Sequence, residues 1–179
     1  MVKDKNKMYD MNAAPSFAQS KSQIERYQLE VDAQAILVAS RLMAAGAMLG
    51  SAAENHFSKF GLSTGRYRLL ADLEDNDGEE LPSQLAEHLG ITRATVTGLI
   101  DILKRDGLVS RRLSPEDGRL KLVTLTEKGK KQLSDMAPEH FAWLESIVNF
   151  LSVEERGVFL ELLDRIMQGI AASDDSSYD

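Results

Sequence analysis

Between Leu81 and Leu125 the apolar positions change their period three times. In LPSQLAEHLG, Leu85, Ala86 and Leu89 recur at helical spacing behind Pro82, and Gly90 breaks the run. Pro82 suits a first helical turn, where a missing N–H costs nothing. Thr92 then caps a second helix, Arg93 to Arg105, with Val96, Leu99, Ile100 and Leu103 as its apolar stripe and Asp106-Gly107 as its stop. Two β-rich runs follow, Leu108–Leu113 and Leu120–Leu125, joined by the turn-forming Ser114-Pro115-Glu116-Asp117-Gly118. Helix, turn, helix and hairpin in that order is the layout of a winged helix-turn-helix DNA reader.

The flanks read as long helices. Ser22-x-x-Glu25 is a capping-box pattern, and Ile24, Tyr27, Val31, Ala35, Val38, Leu42 and Leu49 recur mostly three or four apart. One helix is therefore expected from Ser22 to about Lys59. Gly61 stops it, and Ser63 caps a helix carrying Tyr67, Leu69, Leu70 and Leu73 that ends in the acidic loop EDNDGEE. Thr126 caps a further helix with Leu133, Met136, Phe141, Leu144, Ile147 and Val148, and Pro138 is its expected kink. Ser152-x-x-Glu155 opens a last amphipathic helix through Val158, Phe159, Leu162, Leu163, Ile166 and Ile170.

The pattern predicts a mainly α chain with a small β-wing, six helices to the subunit. Residues 1–21 read as a mobile polar arm, 22–60 as a first helix, and 61–131 as the winged helix-turn-helix domain. Residues 132–172 read as C-terminal dimerisation helices and 173–179 as a disordered acidic tail. So long an apolar face on the first helix exceeds what one small domain covers. A homodimer built on the N-terminal and C-terminal helices is expected.

Composition narrows the class. A chain of 179 residues with 43% hydrophobic and 27% charged residues has the balance of a soluble globular protein. It has no cysteine, which excludes disulfides and thiol redox chemistry. MVKDKNKMYDMN carries no apolar core of a secretory signal, so a cytoplasmic location is expected. Ala33–Ala53 is apolar, but Gln34 and Arg41 interrupt it and alanine dominates it. A buried helix is expected there, with Gly46-x-x-x-Gly50 marking close helix packing, and no membrane span.

Charge changes the picture most. The net charge is −7, yet residues 92–131 hold ten lysines and arginines against five acids. That stretch has a surplus of five positive charges, so the rest of the chain carries −12. Basic charge concentrated on the proposed reader is the footprint of phosphate binding. On the second helix, Arg93, Ala94, Thr95 and Thr97, with Thr92 at its start, lie outside the apolar stripe. Small side chains let such a helix enter a major groove about 12 Å wide. Arg93 can present its fork to guanine or phosphate, and threonine hydroxyls or Ala and Thr methyls can meet base edges. Arg111, Arg112 and Lys121 line the strands and are placed to touch phosphates.

QLAEHLGITRATVTGLIDILKRDGLVSRRLSPEDGRLKLVTLTEKG also resembles the DNA-binding core of MarR-type transcriptional regulators. The likeness extends more weakly from Val31 to Ile170. The resemblance implies a dimeric regulator, a repressor in sense, on a pseudo-palindromic operator in double-stranded DNA. It implies that Arg119, at the wing tip, enters the adjacent minor groove while Asp117 braces the arginine or the turn. Many relatives carry arginine where this chain has Gly98. The resemblance further implies a pocket for a small aromatic or anionic effector, with Met43, Ala47, Phe57, Arg66, Tyr67 and Leu70 as its residues. Arg66 would pair with a carboxylate. At helical spacing, Met43, Phe57 and Tyr67 suit a plain core better than a pocket.

No cofactor, metal or catalytic site is expected. His56, His88 and His140 lie far apart in the chain, and His56 near Glu54 is the only faint pairing. No phosphate-binding glycine loop occurs. Gly61-Leu62-Ser63-Thr64-Gly65 matches the nucleophile-elbow pattern, but that elbow requires a preceding strand, and HFSKF reads as a helix end. An esterase is therefore the weakest reading. A winged-helix module that binds protein instead of DNA is the alternative the acidic total favours.

Overall fold

The computed structural model describes residues 16–115 and 117–175, with side chains to residue 172. Residues 1–15 of the expected arm and 176–179 of the expected tail lie outside the described residues. The elements are α1 Phe17–Tyr27, α2 Ala33–Ser58, α3 Thr64–Asp75, β1 Glu79–Glu80, α4 Pro82–Leu89, α5 Arg93–Arg105, β2 Val109–Leu113, β3 Lys121–Leu125, α6 Glu127–Val148 and α7 Val153–Asp175. They fall into two compact units, the first ending at Leu125 and the second starting at Thr126.

The expected six helices are seven because the first is divided. Its cap is Ser16 and not Ser22: Ser16 Oγ accepts from the Gln19 amide, and the Gln19 side chain accepts from the Ser16 amide. That box starts α1 six residues early. Gln28 then adopts a left-handed conformation, φ 54°, and closes α1 by donating back to its last carbonyls. Asp32 caps the restart, accepting from the Gln34 amide at 2.8 Å.

The core of the first unit is the reader's own. Leu69, Leu70 and Leu73 of α3, Leu85 of α4, Val96, Ile100 and Leu103 of α5, and Val123 of β3 are all fully buried. Each such side chain contributes about 1.5–3 kcal/mol over exposure. The sheet is antiparallel in the order β1-β3-β2. Arg111 pairs with Val123 and Leu113 with Lys121, while Glu80 takes the other side of Val123. Along β3, Val123 and Leu125 turn inward, whereas β2 buries Val109 alone and projects outward beyond it. β1 lies inside the stretch expected as an acidic loop, and two residues are too short to show a period.

Two backbone devices fix the helices around that core. Gly61, φ 70°, ends the turn after α2, and Ser63 Oγ accepts from the Arg66 amide at 3.3 Å to start α3. Gly90, φ 64°, ends α4, and Arg68 of α3 donates to the Leu89 carbonyl at 3.1 Å. Ser63 is therefore a helix cap that follows a helix. The elbow an esterase would need is not formed there.

α2 departs from the buried helix expected. Within one chain only His56 and Phe57 of its 26 residues are buried, and Ile36, Val38, Met43, Met48 and Leu49 are exposed. By length and composition α2 could cross a bilayer. A methyl group added at Gly46 or Gly50 would meet nothing within 4 Å, so the expected close helix packing is not made there among the described residues. In the second unit, α6 runs through Pro138 as one helix. α7 is capped by Ser152 and Glu155 as expected, with reciprocal bonds of 3.2 and 2.8 Å. Val158, Phe159, Leu160, Leu162, Met167 and Ile170 of α7 are exposed.

Candidate nucleic-acid interface

α5 has the bounds its sequence pattern predicts, because cap, stripe and stop all agree. Thr92 Oγ1 accepts from the Thr95 amide at 3.2 Å and lies 2.8 Å from Thr95 Oγ1. Thr97 Oγ1 donates to the Arg93 carbonyl at 2.9 Å. These hydroxyls hold the first turns, and Thr92, itself exposed, sets the helix start. Arg93, Ala94, Thr95, Thr97 and Gly98 are exposed, and Val96 and Ile100 turn into the core. At 100° per residue, Ala94, Thr97, Gly98 and Asp101 share the outward face.

The arginines divide into free and tethered. Arg93 and Arg119 are exposed and form no ion pair with any described residue. Arg111 of β2 donates to Asp101 of α5 at 2.9 Å. Arg112 makes a two-pronged contact with Glu79 of β1, with Nε 2.7 Å from Oε2 and Nη2 on Oε1. Glu79 pushes the Arg112 guanidinium further up from its already high range. Nothing in the sequence pattern marks Asp101 and Glu79 as members of this surface. Asp101 counts against the basic surplus of residues 92–131 and Glu79 falls outside that stretch, so only the register of β2 reveals the pairing.

At the wing tip, Asp117 Oδ1 accepts from the Arg119 amide at 2.9 Å, and the Asp117 amide donates to Ser114 Oγ at 3.4 Å. Leu120 donates to the Asp117 carbonyl and Ser114 to the Leu120 carbonyl, both at 2.9 Å. Asp117 thus braces the turn's backbone, leaving the Arg119 side chain outward. Lys121 is exposed at the base of β3.

The six residues expected to line an effector pocket are not gathered in one cavity of the first unit. Leu70 and Phe57 are core, and Phe57 stacks on Tyr67 at a centroid distance of 4.2 Å. Burial raises the Tyr67 phenol above its usual range. Met43 is 76% exposed, and Ala47 is also exposed. Arg66 is drawn to Asp106 at 3.6 Å and to Ser63 Oγ at 3.3 Å, tying the start of α3 to the end of α5.

A reading helix with a capped, outward N-terminal half, braced by a three-stranded sheet whose hairpin carries a free arginine, defines a winged helix-turn-helix DNA-binding protein. Residues 60–120 match the MarR family. The transcriptional repressor YetL of Bacillus subtilis is 37% identical over 68% of this chain and 74% of its own length. A MarR family regulator from Silicibacter pomeroyi shares 26% identity and a TM-score of 0.62 over 74% of this chain and 88% of its own. Sco3205 from Streptomyces coelicolor, solved in complex with DNA, has the same fold at a TM-score of 0.71. It shares 24% identity over 78% of this chain and 89% of its own. The chain belongs to the MarR family and is a DNA-binding transcriptional regulator.

Proposed function

We propose that this regulator acts in the cytoplasm as a homodimeric repressor on a pseudo-palindromic operator. The repressor sense follows its 37% identical relative, YetL. The observation that carries the geometry is the pair of unpaired arginines, Arg93 on α5 and Arg119 on the wing, on the two projecting elements of the reader. α5 enters the major groove with Arg93, Ala94, Thr95 and Thr97 toward the base edges, its start set by Thr92. Arg119 takes the flanking minor groove, where narrow A·T-rich sequence concentrates negative potential. Lys121 faces phosphate, Arg111 and Arg112 flank the backbone while held by Asp101 and Glu79, and Asp117 holds the wing turn.

A second copy covers the apolar faces that one chain leaves bare on α2 and on α7. Burying those faces in a two-fold interface sets two recognition helices about one helical turn, or 34–36 Å, apart. Selection from a random duplex pool tests the reading. The expected product is an inverted repeat with half-site centres about 10 base pairs apart. Enrichment of a single half-site would remove the dimer from the reading, and absence of enrichment would remove sequence-specific recognition.

A further inference from the structure

Away from the arginine surface, three side chains from three successive elements converge. Asp72 lies near the end of α3, Glu80 ends β1, and His88 lies in the last turn of α4. His88 Nδ1 is 3.1 Å from Glu80 Oε1 and 3.4 Å from Asp72 Oδ2. One donor atom from each residue lies within 4.8 Å of the other two. Glu80 is only 5% exposed, Asp72 is 19% exposed and His88 42%. Each lies eight positions from the next, so nothing in the chain's local spacing announces the cluster.

The protein's own donors do not satisfy it. Glu80 Oε2 and Asp72 Oδ2 are buried and receive no hydrogen bond. Among the described residues no lysine or arginine ion-pairs with either carboxylate. His88 Nδ1 offers at most one proton to both acids. Two carboxylates held together out of water call for a compensating positive charge.

The spacing fits a metal ion. Tetrahedral bonds of about 2.0–2.1 Å place ligand atoms about 3.3 Å apart. The distances of 3.1 and 3.4 Å from Nδ1 to the two oxygens bracket that value. One imidazole nitrogen and two carboxylate oxygens are borderline to hard donors, which suit Zn²⁺ first and Mn²⁺ next. Three protein ligands leave a fourth position for water on the side where His88 meets solvent. We propose that Asp72, Glu80 and His88 form a binding site for a divalent first-row transition cation, with zinc the preferred ion. The cation clamps α3, β1 and α4 together, and α4 is the helix directly before the recognition helix. Metal availability then adjusts the stability of the reader's scaffold.

The proposal does not rest on the operator reading, and its readout is metal binding itself. The full chain is stripped with a chelator and titrated with Zn²⁺, then Mn²⁺, against a chromophoric competitor. The expected result is one zinc per chain and a melting temperature raised by zinc. His88→Gln should weaken zinc by more than the roughly 10–100-fold typical of losing a supporting partner. Its exposed position leaves folding intact, and its melting temperature should no longer respond to zinc. Asp72→Asn and Glu80→Gln should weaken binding likewise. X-ray absorption should report one imidazole nitrogen among oxygen ligands. No zinc uptake by the stripped chain would overturn the site. So would wild-type affinity in both His88→Gln and Asp72→Asn, because the zinc would then sit elsewhere.

Discussion

Arg111 of the wing strand donates to Asp101 of the recognition helix at 2.9 Å. Asp101 lies on the same outward face as Ala94 and Thr97, where in the proposed complex its charge would oppose approaching phosphates. Arg111 cancels that charge and ties β2 to α5, so the pair trades one phosphate contact for a fixed angle between helix and wing. Asp101→Asn should release the arginine. Operator and random duplex should both bind more tightly, and the slope of log K against log salt should steepen by about 0.9. Salt titrations of both proteins on one duplex check this, and an unchanged slope would leave Arg111 as a structural brace alone.

The exposed face of α7 predicts a subunit interface. Phe159 and Leu162 are 47% and 46% exposed in one chain. Leu162→Glu should give a folded monomer, seen by sedimentation with an undiminished helical signal. Operator affinity should fall at least tenfold, equivalent to about 1.4 kcal/mol. A dimer of unchanged strength would place the interface elsewhere.

These cases show what the chain spelled out. α5, its Thr92 cap and its buried stripe were legible, because each is local and repeats with the helix period. So was the hairpin, since Pro115 to Gly118 can hardly continue a helix. Pairings across elements were not: Arg111 with Asp101 and Arg112 with Glu79 depend on strand register. Nor was the break at Gln28, where a glutamine takes a left-handed conformation usually given to glycine. The apolar spacing from Ile24 to Leu49 continues across that break, so periodicity alone joined two helices. α2 misled differently. Its composition suits burial, yet among the described residues it buries only His56 and Phe57.

At the wing, Arg119 and Asp117 have separable roles. Arg119→Ala should weaken operator binding and relax the preference for A·T pairs beside the main half-site. Asp117→Ala removes the acceptor for the Arg119 amide and loosens the tip. It should weaken binding less, and without relaxing that preference as far. Binding to duplexes differing only in the flanking steps checks both. Equal affinity of Arg119→Ala and the parent protein would end the minor-groove role.

Glu54 gives a pH dependence with a defined sign. Its carboxylate accepts from the Thr64 amide at 2.9 Å and the Thr64 hydroxyl at 2.8 Å, joining α2 to the first turn of α3. The backbone bond first, then the hydroxyl, holds its pKa below the ordinary 4.5. A carboxyl lowered in the folded state stabilises the fold above its unfolded pKa, and that support is lost as pH falls through the folded value. Glu54→Gln should therefore be less stable than the parent at pH 7. The gap should shrink as the pH drops below about 4.5. Urea midpoints across that range check it, and a gap that persists at low pH would assign the effect to geometry and not charge.

Gly98 sits on the outward face of α5, and a methyl placed there meets nothing within 4 Å. Its helix is unstrained, so the residue costs stability without answering any need of the fold. Gly98→Ala should stabilise the chain by about 1 kcal/mol. If α5 keeps some distance from the bases, operator affinity should stay within twofold. A tenfold loss would mean that the helix backbone lies against the groove floor and the glycine supplies clearance. Gly98→Arg separates the possibilities further. With clearance to spare, the added cation reaches phosphate and steepens the salt slope by about 0.9. With none, affinity falls despite the added charge. The two substitutions together measure how deeply the recognition helix sits.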